Sequence, residues 1–141
     1  MMIIRPVSTD DIDDIKRMAD NSGIGLTTLP SDLNLLKEKI DIATRSFDQK
    51  NEKSYQDKYL FVLEDTENNK VSGTTGLVAK VGMEEAFYNY KLGTIVHASR
   101  ELKVYNQIKT LSLSNDYTGC SELCTLFLDK DYRKDNNGKL L

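Results

Sequence analysis

The sequence predicts an α+β fold: a mixed, mainly antiparallel sheet with flanking helices. Two helical stripes lie near the N-terminus, one at Ile12, Ile15 and Ala19 and one at Leu33, Leu36, Ile40, Ala43 and Phe47. Strand-like apolar runs follow at Tyr59 to Glu64, Val71 to Val81 and Ser121 to Asp129. The order is strand, helix, helix and then strands, which is an α+β or mixed α/β pattern.

Each element has a local reason. Met2 to Val7 is a short apolar run carrying Pro6, which suits a first or edge strand. Ser8 opens the first helix, with Asp11 as its capping-box partner. The acidic run Asp10 to Asp14 reads as first-turn carboxylates facing the helix dipole and not as a metal site. Asn21 to Gly25 stops this helix, and after Pro30 the expected N-cap of the second is Ser31. Asp48 to Asp57 is polar and patternless, a loop. Asp65 to Lys70 makes the turn of a β-hairpin whose second strand carries Gly73 and Gly76, the mark of a bulge or a close backbone approach. Gly82 to Leu92 is aromatic-rich, Gly93 to Ser99 reads as a strand, Arg100 to Lys109 is ambiguous, and Leu111 to Asn115 is short and extended.

Composition narrows the function classes. A chain of 141 residues fits one domain, and 39% hydrophobic with 29% charged residues is a globular composition. A formal charge of −3 argues against binding nucleic acid through bulk charge. The apolar runs fall far short of the roughly 20 residues that cross a bilayer, and Met1 to Asp14 has no secretory pattern. Cys120 and Cys124 do not have zinc-knuckle spacing, so no metal is expected and a cytoplasmic location is the simplest reading.

Few residues bear chemistry. His97 is the single histidine, and any Ser-His-Asp or Cys-His arrangement must use it; a hydrogen-bonded histidine near a strand end is the commoner state. Glu84 and Glu85 are adjacent and make a poor acid/base dyad. The informative piece is the strand ending at Asp129 followed by Arg133-Lys134-Asp135-Asn136-Asn137-Gly138. Such a turn points backbone N–H groups at an anion, Gly138 allows close approach, and Arg133 and Lys134 add charge.

That loop resembles the pyrophosphate loop of GNAT-type N-acyltransferases, Arg/Gln-x-x-Gly-x-Gly/Ala, with Asn136 standing at the first glycine. Asn tolerates left-handed backbone. A wider resemblance, to the bacterial arginine N-succinyltransferases, rests on blocks spread along the chain. They include MIIRPV from Met2, GLTTLP from Gly25, FVLED from Phe61, YNYKLGTIVHAS from Tyr88, ELKVYN from Glu101, LSND from Leu113 and SELCTLFLD from Ser121.

This resemblance implies a GNAT-like acyl-CoA N-acyltransferase fold, with residues 1–141 as its N-terminal acyl-CoA-binding portion, ending after the pyrophosphate loop. It implies transfer of succinyl from succinyl-CoA to the α-amino group of L-arginine, in arginine catabolism. Leu126 matches a succinyl-CoA contact, and the cofactor-binding set becomes Leu126, Arg133, Lys134, Asn137 and Gly138. No catalytic residue is assigned, because the family's proton-donating histidine lies beyond the matching region and His97 does not inherit its role. The chain alone is therefore expected to be inactive. A non-catalytic CoA-binding or interaction module is the alternative. Neither nucleic acid nor membrane is an expected partner. A sheet left with an open edge is expected to make the chain a homo-oligomer.

Overall fold

The structure, a computed structural model, describes residues 1–23, 25–48 and 54–141. Residue 24 of the expected helix stop and residues 49–53 of the expected loop lie outside the described residues. The chain divides into two compact units: unit 1 comprises Met1–Lys80 with Ser121–Leu141, and unit 2 is Val81–Cys120.

Unit 1 is built on a four-stranded sheet. Its strands are β1 (Met2–Pro6), β2 (Lys58–Asp65), β3 (Lys70–Val78) and, from the last third of the chain, a strand at Glu122–Leu128. They lie in that order and pair antiparallel throughout, and β1 takes the edge position that Pro6 suits. Helix α1 (Ile12–Asn21) packs on β3, and α2 (Leu33–Phe47) packs on β2. The core forms where Ile15, Met18, Leu36 and Ile40 meet Val7, Leu60, Val62 and Val71. Phe47 closes its end, edge-on to Tyr59 and Phe61 at 5.1 and 5.2 Å between ring centres.

The first helix starts as expected. Ser8 and Asp11 form the reciprocal capping box around a short 3-10 turn, Thr9–Asp11. Asp11 does more than face a dipole. It is buried, accepts both terminal nitrogens of Arg5 at 2.7 and 2.8 Å, and so ties β1 to the helix start. Arg5 also pairs with Glu64 on β2.

Three local expectations need correction. The N-cap of α2 is Asp32 and not Ser31: the Asp32 carboxylate accepts from the N–H groups of Asn34 and Leu35 at 2.8 and 3.0 Å, a reach a residue further back lacks. Leu33 belongs to the first turn and is exposed, so the buried stripe begins at Leu36. The strand begun at Lys70 stops at Val78 and not Val81, because Ala79 N–H turns to the Asp57 carbonyl and Val81 N–H to that of Cys120.

Unit 2 is a long hairpin of β4 (Asn89–Ser99) and β5 (Val104–Ser114). The sequence pattern marks only fragments of it, Gly93 to Ser99 and Leu111 to Asn115. Cross-strand pairs put Tyr90, Leu92, Val96 and Ala98 on one face with Leu113, Leu111, Gln107 and Tyr105. Gln107 and Lys109 interrupt that apolar alternation in β5, which made Arg100 to Lys109 ambiguous. Large side chains of this face, Leu92 and Leu111 among them, are exposed. The ends of unit 2 are joined by Val81 N–H to the Cys120 carbonyl at 2.9 Å and Gly119 N–H to the Val81 carbonyl at 2.8 Å.

The last strand, β6 (Glu122–Leu128), carries the feature that positions the site. Phe127 pairs with Thr74 and Cys124 with Gly76, so Thr125 and Leu126 together oppose Thr75. This is a β-bulge, and Thr125 takes a left-handed φ of 55°. The Thr74 hydroxyl, fully buried, donates to the Thr125 carbonyl at 2.9 Å. Both glycines of β3 serve close approach: a Cβ on Gly73 would lie 2.9 Å from the Phe127 carbonyl oxygen, and one on Gly76 3.1 Å from Thr125 Oγ1.

Two substitutions test these restraints. Asp11→Asn removes the charged acceptor for Arg5 and is expected to cost about 2 kcal/mol in urea unfolding, while Asp13→Asn should stay within about 0.5 kcal/mol. Thr74→Val keeps shape but strands the Thr125 carbonyl, and a loss of about 1–2 kcal/mol is expected from the same measurement. Equal stability of Thr74→Val and the parent would show that the bulge does not rely on this bond.

Candidate functional site

Past the bulge, β6 ends in a clamp. Asp129 N–H donates to the Ser72 carbonyl at 2.8 Å, and the Asp129 carboxylate pairs with Arg17 of α1. The same guanidinium donates to Asp14 at 3.1 Å and to the Val71 carbonyl at 2.8 Å, while Asp14 accepts from Val71 N–H at 2.9 Å. Burial works against the Arg17 charge, but Asp129 and Asp14 outweigh it and hold the group above the usual arginine range. A 3-10 turn, Lys130–Tyr132, follows. Its Tyr132 hydroxyl donates to Asp65 at 3.2 Å, and its ring lies under the Lys70 ammonium at 5.7 Å. Burial first, then the bond to Asp65, raises the Tyr132 phenol.

From this anchored root the loop turns back sharply. Asp135 and Asn136 are both left-handed, with φ of 52° and 61°. Asn136 thus adopts the backbone that a glycine would supply in the resembled motif. A second 3-10 turn, Asn137–Lys139, closes the loop. Inside it, the N–H groups of Asn137, Lys139 and Leu140 go to the carbonyls of Lys134, Asn136 and Asn137. Among the described residues, the N–H groups of Asp135, Asn136 and Gly138 make no such bond, which leaves three backbone donors in the loop for an anion.

The loop and strand enclose a cleft of about 570 Å³ lined by all five sequence-selected residues, Leu126, Arg133, Lys134, Asn137 and Gly138. They contribute differently. Leu126 is thrust outward by the bulge and is 63% exposed. Arg133 is braced, its Nε donating to the Leu128 carbonyl at 2.9 Å and its guanidinium 5.9 Å from the Phe127 ring. Lys134 makes no ion pair among the described residues and is the freer charge. Asn137 is buried, and its side-chain amide donates to the Tyr132 carbonyl at 3.1 Å, so it shapes the loop from within. Gly138 has no steric need of its own: a Cβ there would meet Leu128 only at 4.0 Å. With Lys139, three cations line the cleft against one carboxylate, Asp135.

The supports of the loop carry no local signal in the sequence. Arg17 and Asp129 are 112 positions apart, and nothing local announces their pairing. Thr74 and Thr125 are ordinary strand residues until the register is known. His97 lies exposed on β4 in unit 2. Among the described residues no group of three or more His, Cys, Asp or Glu side chains is placed to hold a metal ion, and no helix is long and apolar enough to cross a membrane.

Comparison with known proteins agrees with this architecture. Proteins named arginine N-succinyltransferase from two Escherichia coli strains, SMS-3-5 / SECEC and 55989 / EAEC, are each 49% identical over 141 residues, all of this chain. The chain spans 41% of the length of these curated relatives. A solved structure of arginine/ornithine succinyltransferase subunit AI from Pseudomonas aeruginosa superposes with a TM-score of 0.86 at 34% identity, covering 99% of this chain and 42% of that one. Residues 2–141 match the family described as arginine N-succinyltransferase beta subunit, and the chain belongs to that family.

Proposed function

We propose that this chain is the acyl-donor-binding part of a GNAT-type arginine N-succinyltransferase, which moves succinyl from succinyl-CoA to the α-amine of L-arginine in the cytoplasm. The observation that carries the reading is the convergence of Leu126, Arg133, Lys134, Asn137 and Gly138 on one cationic cleft. In this reading the loop N–H groups of Asp135, Asn136 and Gly138 take the pyrophosphate oxygens, with Lys134 adding charge. Asn137 holds the loop's curvature. Gly138 lets the phosphates come close, which is the one reason left for glycine at a position that the protein's own packing does not crowd.

The bulge supplies the chemical part. Thr125 and Leu126 stand outside the ladder with β3. A backbone N–H at Leu126 then donates to the thioester carbonyl as charge develops on its oxygen. The bound thioester supplies the activated acyl group. The amine must arrive neutral, and the strand and loop hold donor and acceptor at one place, which is where much of the acceleration originates. The resemblance places proton donation on a histidine that has no counterpart among these residues. The exposed apolar face of β4 and β5 and the open outer edge of β6 support self-association as a two-fold dimer.

Two experiments test the reading. By titration calorimetry with CoA, Lys134→Glu and Gly138→Ala are each expected to weaken binding by about tenfold, with unfolding midpoints unchanged. Lys134 and Gly138 are chosen over Arg133 because Arg133 also braces the end of β6. Unaltered affinity in both would remove the loop from the donor site. Thiol release from succinyl-CoA with L-arginine is expected to stay near background for these 141 residues, and light scattering is expected to give twice the 16.0 kDa chain mass. Rapid turnover by a monomer would contradict both expectations.

A further inference from the structure

A second cleft of about 430 Å³ opens within unit 1, between α2, the segment after α1 and the strands β2, β3 and β6. It is lined by Thr125, whose neighbour Leu126 lines the first cleft, so the two hollows approach one bulge from different sides. Its charges are sparse. Glu38 is the single carboxylate in the lining, and Lys39 and Lys58 are the two ammonium groups. None of these three makes an ion pair among the described residues.

Lys39 is the unusual member. It is half-buried, and its hydrogen bond goes to the Thr28 carbonyl at 2.9 Å. Burial lowers its affinity for a proton, the nearby Lys58 adds to that, and Cys124 of β6 opposes it. A half-buried cation without a counter-ion is costly, and an anion entering the cleft would relieve that cost. Glu38, the preceding residue of α2, is exposed. Lys58 is exposed as well, so Lys39 is the one half-buried charge of a lining that also includes Cys124 and Thr125 of the bulged strand.

We propose that this cleft is the acceptor subsite and takes an α-amino acid with a long cationic side chain, Lys39 binding the α-carboxylate and Glu38 the distal cation. The amine and carboxylate of such a ligand share one carbon, so a carboxylate at Lys39 brings the amine to the Thr125–Leu126 step. A guanidinium at the far end then reaches Glu38, where a carboxylate offers the forked acceptor it prefers. Glu38 and Lys39 are thus specificity-determining residues. The assignment rests on the donor reading of the first cleft.

The test is calorimetric titration of the CoA-saturated chain with L-arginine, L-citrulline, which has a neutral ureido end, and agmatine, which lacks the carboxylate. The parent is expected to bind arginine at least about tenfold more tightly than either analogue. Glu38→Gln should abolish the preference over citrulline alone. Lys39→Met should abolish the preference over agmatine alone, and Lys39→Arg should restore it. CoA affinity should be unchanged in all three variants, which also shows that they are folded. Arginine binding that ignores both substitutions, or is absent while CoA binds normally, overturns the acceptor subsite and leaves the donor reading standing. Failure of CoA to bind the parent overturns both.

Discussion

The hydrogen bond from the buried Thr74 hydroxyl to the Thr125 carbonyl fixes a β-branched residue in left-handed backbone in the middle of a strand. Such a conformation costs about 1–3 kcal/mol and persists only where the surroundings enforce it. Here the enforcement is local: a short donor on the neighbouring strand, and Gly76 opposite Cys124, whose missing side chain leaves room for Thr125 and Cys124. Leu126 lines one cleft and its neighbour Thr125 the other, so the bulge lies where the two hollows come nearest in sequence.

The loop beyond depends on a different principle. Its root is pinned by charge and its tip is left polar and open. Arg17 gathers Asp129, Asp14 and the Val71 carbonyl into one network, so helix α1, strand β3 and the start of the loop cannot drift independently. Asp65 receives Asn68, Glu67 N–H and the Tyr132 hydroxyl, which hold its carboxyl below the usual range. Paired charges thus lie at the base, and unpaired donors and cations at the rim. A binding surface gains from this division, since preorganised donors lose little freedom when a ligand arrives.

Much of the fold was legible because its core segments obey simple periods. The stripe from Leu36 through Ala43 reads as a helix, and Tyr59 to Glu64 as a buried strand, with no tertiary knowledge. The loop was legible because cations, Asn and Gly cluster after a strand. What escaped reading depends on partners distant in sequence. Asp32 outcompetes Ser31 because its carboxylate reaches two N–H groups, and Val81 leaves β3 because Cys120 offers it a carbonyl. The hairpin of β4 and β5 escaped for another reason. Its apolar face meets solvent, and Gln107 and Lys109 dilute the alternation that marks a half-buried strand.

The insertion of unit 2 between β3 and β6 has a consequence for how the chain assembles. β6 must find β3 across the whole length from Val81 to Cys120, and closing so long a flexible loop would carry a large entropic penalty. A β-hairpin forms locally in roughly 1–10 μs, before distant strands meet. Once β4 and β5 zip and the Val81–Cys120 and Gly119–Val81 bonds form, the two ends of the insertion are held together. The separation that β6 must bridge then shrinks to a few residues. The hairpin is in effect an internal clasp that shortens the search for the strand carrying the bulge.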